Sequence, residues 1–340
     1  MTDEKKPSLE ELRRELREPL SAALGSDQEP YSIELLCEPK DVADDPAKLL
    51  VTSRGSLELA VVLVAAPAGP GLVRRGMRRA AEAKELLGER LGSVILEPLG
   101  EGDLRGLSYT ILPYRRPFGE GAFARRYWRR ALRSTTLDWL AEVTEATLGE
   151  TGDTEIAEGF ERPLAHLATL EAMDDSVRRA ADGAVGRLKS GEWRPKSVLM
   201  HGDLWLGNML RAVAGPGAGG RRRGYAGRPL RGRRRGYAGR PLRGRRREFP
   251  FVIIDWPGSI MRGYAMYDLI RLAASMGLRG AGFGHEVRRH CDILGSHPAS
   301  AMDYLAASLG HLGMNLGEFP SERYCESSVS CFNQLRSALG

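Results

Sequence analysis

Three side chains in this sequence have the types and spacing that phosphoryl transfer requires. Asp203 and Asn208 lie five residues apart in His201-Gly202-Asp203-Leu204-Trp205-Leu206-Gly207-Asn208, and Asp255 follows the apolar run Phe251-Val252-Ile253-Ile254. The reaction needs one carboxylate to orient and deprotonate a hydroxyl. It also needs an amide and a second carboxylate to hold Mg²⁺ on the phosphates of ATP. Its transition state is loose, so positioning and charge neutralisation supply most of the rate. Val198-Leu199-Met200 and Met209-Leu210 read as short strands flanking a loop that projects both polar groups to one side. Phe251 to Ile254 reads as a strand that pairs nearby.

The elements that must position these groups fall into two blocks. Residues 8–24 have Leu9, Leu12, Leu16 and Leu20 at helical spacing among charges. Strand-like runs follow at 31–37, 48–53 and 57–65, with Gly55-Ser56 as a hairpin turn between the last two. After Pro67-Ala68-Gly69-Pro70-Gly71 the pattern predicts a helix over 72–91, then strands over 93–96 and 107–112. Beyond about residue 120 it turns helical: 122–133, 135–149, 156–170 and 174–190, and later 267–277, 284–294, 299–313 and 322–338. The fold class expected is therefore α+β. It has an N-terminal helical extension over 1–30, a small β-rich N-lobe over 31–113 and a larger, mainly α C-lobe over 114–340.

At 340 residues the chain can bury the core of two lobes. No apolar run reaches the roughly 18–20 residues of a membrane span, and the start, Met1-Thr2-Asp3-Glu4-Lys5-Lys6, lacks an apolar signal core. The expectation is a soluble cytoplasmic protein. Cys37, Cys291, Cys325 and Cys331 have neither disulfide-framework nor zinc spacing, which points to reduced thiols. His285 and His290 are five apart and fall on different helix faces, so they do not make a zinc motif.

The net charge of +6 misleads. Residues 221–247 carry thirteen Arg and no acid, and taking them away leaves −7. A twelve-residue unit, Arg-Arg-Arg-Gly-Tyr-Ala-Gly-Arg-Pro-Leu-Arg-Gly, runs from 221 to 232 and repeats unchanged from 233 to 244. Without periodic hydrophobics such a segment cannot offset the entropy of ordering, so a disordered insertion is expected over about 212–248. It reads as a tolerated surface loop. The alternative is an RNA- or anion-binding arm, in which arginines meet phosphates and Tyr225 and Tyr237 stack on bases.

The motif His201-Gly-Asp203-x4-Asn208, followed by Ile-Ile-Asp255-Trp256, resembles the aminoglycoside phosphotransferase and choline kinase family, small-molecule kinases of the protein-kinase-like fold. The resemblance is strong over 198–271. It implies Asp203 as catalytic base, Asn208 and Asp255 as Mg²⁺ ligands, and His201 and Asp268 as structural supports of the loop. The activity it implies is ATP- and Mg²⁺-dependent phosphorylation of a hydroxyl on a sugar, aminoglycoside or amino alcohol. Gly202 stands where protein kinases carry a phosphate-receiving arginine. Only twelve residues separate Asp255 from Asp268, which leaves no room for a long activation segment.

The first lobe departs from that pattern. The third-strand run Leu59-Ala-Val-Val-Leu-Val-Ala65 has no lysine for the α/β-phosphates, and no glycine-rich loop precedes it. Lys48, on the neighbouring strand, is the candidate replacement, with Glu82 or Glu85 as its helix partner. Leu112 and Tyr114 are placed at the hinge beside adenine. Acceptor specificity is expected in the helices after 270, with Asp303, His311, Asn315 and Glu318 as candidate contacts. Two rivals stand beside the kinase: a pseudokinase that binds a nucleotide or partner without turnover, and an RNA-associated protein acting through the repeat.

Overall fold

The computed structural model describes residues 8–25, 31–38, 42–53, 57–119, 121–212 and 249–340. The Gly55-Ser56 turn and the arginine repeat lie outside the described residues.

The expected first helix forms as two, α1 (Leu9–Glu15) and α2 (Arg17–Leu24), meeting at Leu16. A capping box starts α1: the Glu11 N–H donates to Ser8 Oγ, and the Ser8 N–H donates to the Glu11 carboxylate at 2.8 Å. Leu12, Leu16 and Leu20 are buried from α1 and α2. Burying a leucine contributes about 1.5–3 kcal/mol, and these three cover one face of a five-stranded antiparallel sheet.

The sheet consists of β1 (Ser32–Leu35), β2 (Ala47–Thr52), β3 (Glu58–Val64), β4 (Gly100–Leu104) and β5 (Leu107–Pro113), in the order β1-β2-β3-β5-β4. Alternation along the strands sends Leu49, Val51, Ala60, Val62, Tyr109 and Ile111 toward the leucines of α1 and α2. The register pairs Lys48 with Leu63 and Leu63 with Thr110, and it pairs Leu50 with Val61 and Val61 with Leu112. Directly opposed residues share a face, so these six line the other side of the sheet. Strand β4 escapes the sequence pattern because Gly-Glu-Gly-Asp-Leu has no apolar alternation. It forms through a two-residue hairpin, Arg105-Gly106, with both φ positive (52° and 82°), the geometry of a type I′ turn. The strand expected over 93–96 is instead a 3₁₀ turn, Gly92–Val94, followed by a single bridge from Ile95 to Ile253.

Helix α3 (Leu72–Leu91) matches its expected span and breaks only at Gly88. It lies in the first block of sequence, yet its Ala80, Ala83, Leu87 and Leu91 are buried in the core of the second. Trp139 Nε1 donates to the Leu91 carbonyl at 3.2 Å and closes that contact. Gly76 meets Pro257 so closely that a Cβ there would sit 2.8 Å from the proline ring.

The second lobe is mainly helical. Residues 122–149, expected as two helices, form one long α4 (Ala122–Ala146). It is followed by α5 (Asp153–Ile156), a π-helical turn at Ala157–Glu161, α6 (Arg162–Thr169) and α7 (Asp175–Ser190). Strands β6 (Gly149–Glu150) and β7 (Lys196–Met200), the hairpin β8 (Met209–Arg211) and β9 (Phe251–Ile253), and β10 (Ile260–Gly263) build the centre of the lobe. Helices α8 (Tyr267–Ser275), α9 (Gly280–Leu294), α10 (Ala301–Met314) and α11 (Ser321–Leu339) complete it. Among the described residues, no helix is long and apolar enough to cross a membrane.

Candidate active site

The loop that follows β7 begins with a backbone reversal at Gly202, whose φ is +88°. A Cβ here would lie 2.8 Å from the Gly258 carbonyl oxygen, so the close approach as well as the dihedral requires glycine. The loop then runs along one face of α8. Asp268, in the first turn, accepts the His201 N–H at 2.5 Å and the Gly202 N–H at 3.0 Å. Three residues on, Arg271 Nη2 donates to Asp203 Oδ1 at 2.6 Å. Seven residues on, Ser275 Oγ accepts the Leu206 N–H at 3.1 Å. Positions i, i+3 and i+7 share a helix face, so a single helix fixes the loop at its start, middle and end. Burial pushes the Asp268 carboxyl up to about 6, against the backbone N–H donors of His201, Gly202 and Leu204.

Asp203 is half-exposed, and both of its carboxylate oxygens are engaged. Arg271 holds Oδ1, and Asn208 Nδ2 donates to Oδ2 at 2.9 Å and to the Asp203 main-chain carbonyl at 2.9 Å. With its amide nitrogen used in this way, Asn208 keeps Oδ1 as the atom that suits a hard cation.

His201 is buried, and its burial lowers the imidazole pKa to about 4, so the ring is neutral at pH 7. The Asp203 N–H donates to Nδ1 at 3.2 Å, which places the ring proton on Nε2, and Nε2 donates to the Ile254 carbonyl at 3.1 Å. The ring also meets Trp256 edge-on, with centroids 4.5 Å apart. Both nitrogens serve to tie the Asp203 loop to the strand that leads to Asp255.

That tie continues through the β8–β9 hairpin. Met209 pairs with Ile253, and the Ile254 N–H donates to the Asn208 carbonyl at 3.0 Å. Asp255 follows directly, exposed, with φ +72°. That left-handed conformation costs a non-glycine residue about 1–2 kcal/mol, and the packed neighbours Ile253 and Trp256 hold it there.

The first-lobe candidates are dispersed. Lys48 Nζ pairs with Asp45 at 2.9 Å and also reaches the Pro46 carbonyl at 3.3 Å. Glu82 meets Arg79 at 3.5 Å and Arg78 at 3.7 Å, while Glu85 stands exposed beside Lys84 in the wall of a 490 Å³ cavity. Lys48 therefore lies on the sheet face turned away from α1 and α2, and it pairs with Asp45 and with neither glutamate. Leu112 shares that face with Leu50 and Val61. Tyr114 donates its N–H to the Leu59 carbonyl at 3.0 Å, and the chain after it passes along β8: Pro117 bridges to Leu210, and the Arg211 N–H donates to the Arg116 carbonyl. The connector between the lobes thus lies beside the strand that leaves Asn208.

Of the candidate acceptor contacts, Asp303 is buried in an ion pair with Arg187 at 2.6 Å. Asn315 donates to the His311 carbonyl at 2.8 Å, the His311 ring lies 5.3 Å from Tyr264, and Glu318 is exposed. Arg271 and Ser275 escaped the sequence reading. Their signal was present as a polar i, i+3, i+7 stripe on a helix whose other positions are apolar.

No protein-family model and no curated protein matches the sequence. Among solved structures, the chain is similar to an ethanolamine kinase of Plasmodium vivax, with a TM-score of 0.50, 10% identity, and 98% of this chain and 90% of that one covered. It is also similar to a choline/ethanolamine kinase family protein of Mesorhizobium loti, with a TM-score of 0.48, 12% identity, and 96% and 99% covered. At such identities the likeness is one of fold. With a small β-rich lobe, a larger helical lobe and the Asp203 loop between β7 and β8, the chain has the two-lobed architecture of the protein-kinase-like fold.

Proposed function

We propose that the protein is an ATP- and Mg²⁺-dependent small-molecule O-phosphotransferase with Asp203 as its base. The observation that carries this reading is Asp203 held between Arg271 and Asn208, in a loop fastened by His201 and β8 to the strand that ends at Asp255. Asn208 and Asp255 offer oxygen donors alone. That set fits Mg²⁺, which takes one or two protein ligands and completes its shell with phosphate and water. When bound, the cation neutralises charge on the transferring phosphates.

Asp203 accepts a hydrogen bond from the acceptor hydroxyl, orients its oxygen toward the γ-phosphorus and receives its proton as the new P–O bond forms. The bond from the γ-phosphorus to the β,γ-bridging oxygen breaks, and ADP leaves. Arg271 keeps the carboxylate in one rotamer throughout. The half-buried sheet face of Leu50, Val61 and Leu112 supplies an apolar surface for adenine, and Tyr114 begins the connector beside it.

The test is transfer of label from γ-labelled ATP to a panel of sugars, aminoglycosides and amino alcohols. Replacing a general base lowers turnover by about 10²–10⁴-fold, and Asp203→Ala is expected to fall in that range. Equal ATP consumption by the two proteins would sink the enzyme reading. One observation favours a pseudokinase instead: Lys48 is paired with Asp45, and β3 carries no lysine. That reading expects nucleotide binding with no Asp203-dependent turnover.

A further inference from the structure

Helix α4 enters the second lobe with an exposed face that carries charge of one sign. From Gly121 to Leu137 the sequence has five arginines and no acid. Arg133 is turned inward, where Nη2 donates to the Met276 carbonyl at 2.9 Å. Arg125, Arg126, Arg129 and Arg130 are exposed, and among the described residues none of them meets a carboxylate. Helix arginines elsewhere do: Arg13, Arg78, Arg162 and Arg178 each pair with an acid three or four residues away. Two rings stand beside the guanidiniums. Phe123 is 92% exposed and Tyr127 is 64% exposed, one helical turn apart. Arg126 and Arg130 each follow a ring by three residues, so rings and charges interleave on one face. Trp128 braces Tyr127 edge-on, with centroids 5.1 Å apart, and Arg211 of β8 lies over the Trp128 ring at 4.9 Å. The face is thereby tied to the strand that leaves Asn208.

Charge and rings together select the partner. Guanidiniums left unneutralised call for a polyanion. An acidic peptide would satisfy the charge but gives the two rings no flat faces to stack on. An anionic bilayer takes up a wide apolar face, and the further apolar side chains of α4, Leu132, Leu137, Trp139 and Leu140, are buried in the lobe. Rings four residues apart are separated by about 6 Å along the helix axis, whereas bases in a duplex strand stack about 3.4 Å apart. Bases splayed from a single strand fit the wider spacing, and RNA loops and ends present such bases to aromatic rings and guanidiniums. We infer that the exposed face of α4 is a docking surface for single-stranded RNA, with Phe123 and Tyr127 stacking on bases and the flanking arginines meeting phosphates. The surface is separate from the repeat over 221–247. It is also independent of the phosphotransferase reading, since neither ATP nor Asp203 takes part.

Fluorescence anisotropy tests the binding. A labelled oligouridylate of about twelve nucleotides is titrated with the full chain, without ATP, between about 50 and 200 mM salt. Losing one stacked base lowers affinity about 5- to 150-fold, so Phe123→Ala with Tyr127→Ala is expected to weaken binding at least about tenfold and to leave the salt dependence unchanged. Arg126→Gln with Arg130→Gln should make the logarithmic salt slope shallower by about 1.4, two phosphate contacts at about 0.7 each. All four side chains are exposed, so neither pair of substitutions disturbs the core. A 4-thiouridine placed in the same strand should crosslink within residues 123–130. Crosslinks confined to 221–247, wild-type affinity in the aromatic variant, or equal binding of the duplex with oligoadenylate overturns the proposal. So does oligoglutamate that competes as well as the RNA, or attachment to phosphatidylglycerol vesicles with no binding of the oligonucleotide.

Discussion

Asp268 of α8 and His201 of the loop after β7 are both buried and joined by a hydrogen bond, and their protons pull stability in opposite directions. The Asp268 carboxyl, ordinarily near 3.8, is raised to about 6. Between about pH 4 and 6 the folded protein therefore holds a proton that the unfolded chain has lost, and stability falls by about 3 kcal/mol as pH rises through that window. The His201 imidazole, ordinarily near 6.5, is lowered to about 4. There the unfolded chain holds the extra proton, and stability rises by about 3 kcal/mol between pH 4 and 6.5. The two slopes nearly cancel. Asp268→Asn removes the falling one, so the variant's stability should climb more steeply than the wild type's from pH 4 to 6. Urea unfolding at pH 4, 5, 6 and 7 reads this directly, and parallel curves would show that Asp268 does not titrate as its burial implies. The place of these residues beside the Asp203 loop was partly legible in the sequence. His201 and Asp268 belong to short strings whose neighbours identify them. Arg271 shares no string with Asp203, and only the folding of α8 against the loop brings the pair within 2.6 Å.

At the scale of elements, α8 and α3 hold the site from two sides. Helix α8 fastens the Asp203 loop through Asp268, Arg271 and Ser275, and α3 presses Gly76 onto Pro257, two residues past Asp255. Gly76→Val places side-chain carbon where Pro257 now lies. The expected outcome is a displaced Asp255 and an ATP affinity reduced about tenfold or more, since an overpacked contact costs about 1–3 kcal/mol. Titration of a fluorescent ATP analogue measures it, and an unchanged Kd with normal folding would show that the contact does not control the loop. Helix α3 and the β8–β9 hairpin were readable because their hydrophobic periods are long or sharply bounded. The 3₁₀ turn at Gly92–Val94 and the strand Gly100–Leu104 were not, because local pattern at 93–96 favours a strand while β4 owes its existence to the register of β5. The same limit applies to the packing of α3. Its apolar stripe announces a buried face and is silent on which lobe buries it.

For the whole molecule, the net charge of +6 belongs to a segment and not to the body that carries the site. The β8–β9 ladder ends with the Ala212 N–H donating to the Pro250 carbonyl at 3.1 Å, so the chain returns to the place it left. Deleting residues 221–247 shortens that connection roughly fourfold, and loop-closure entropy then favours the folded state by about 1 kcal/mol. The deletion variant should unfold at an equal or slightly higher temperature, carry a formal charge of −7 and retain any phosphotransfer of the full chain. Lost activity, read with the same labelled ATP, would show that the repeat takes part in catalysis. Retention of RNA by the full chain alone would assign the repeat to that partner. The hairpin has a mechanical consequence as well. Strand β8 leaves Asn208 and strand β9 arrives at Asp255, and both open at the same end. Tension applied between residues 212 and 250 loads their hydrogen bonds one at a time, as a zipper does. A weak pull at that end, far below what would unravel either lobe, parts Asn208 from Asp255, the pair proposed above to hold the cation, while the rest of the protein stays folded.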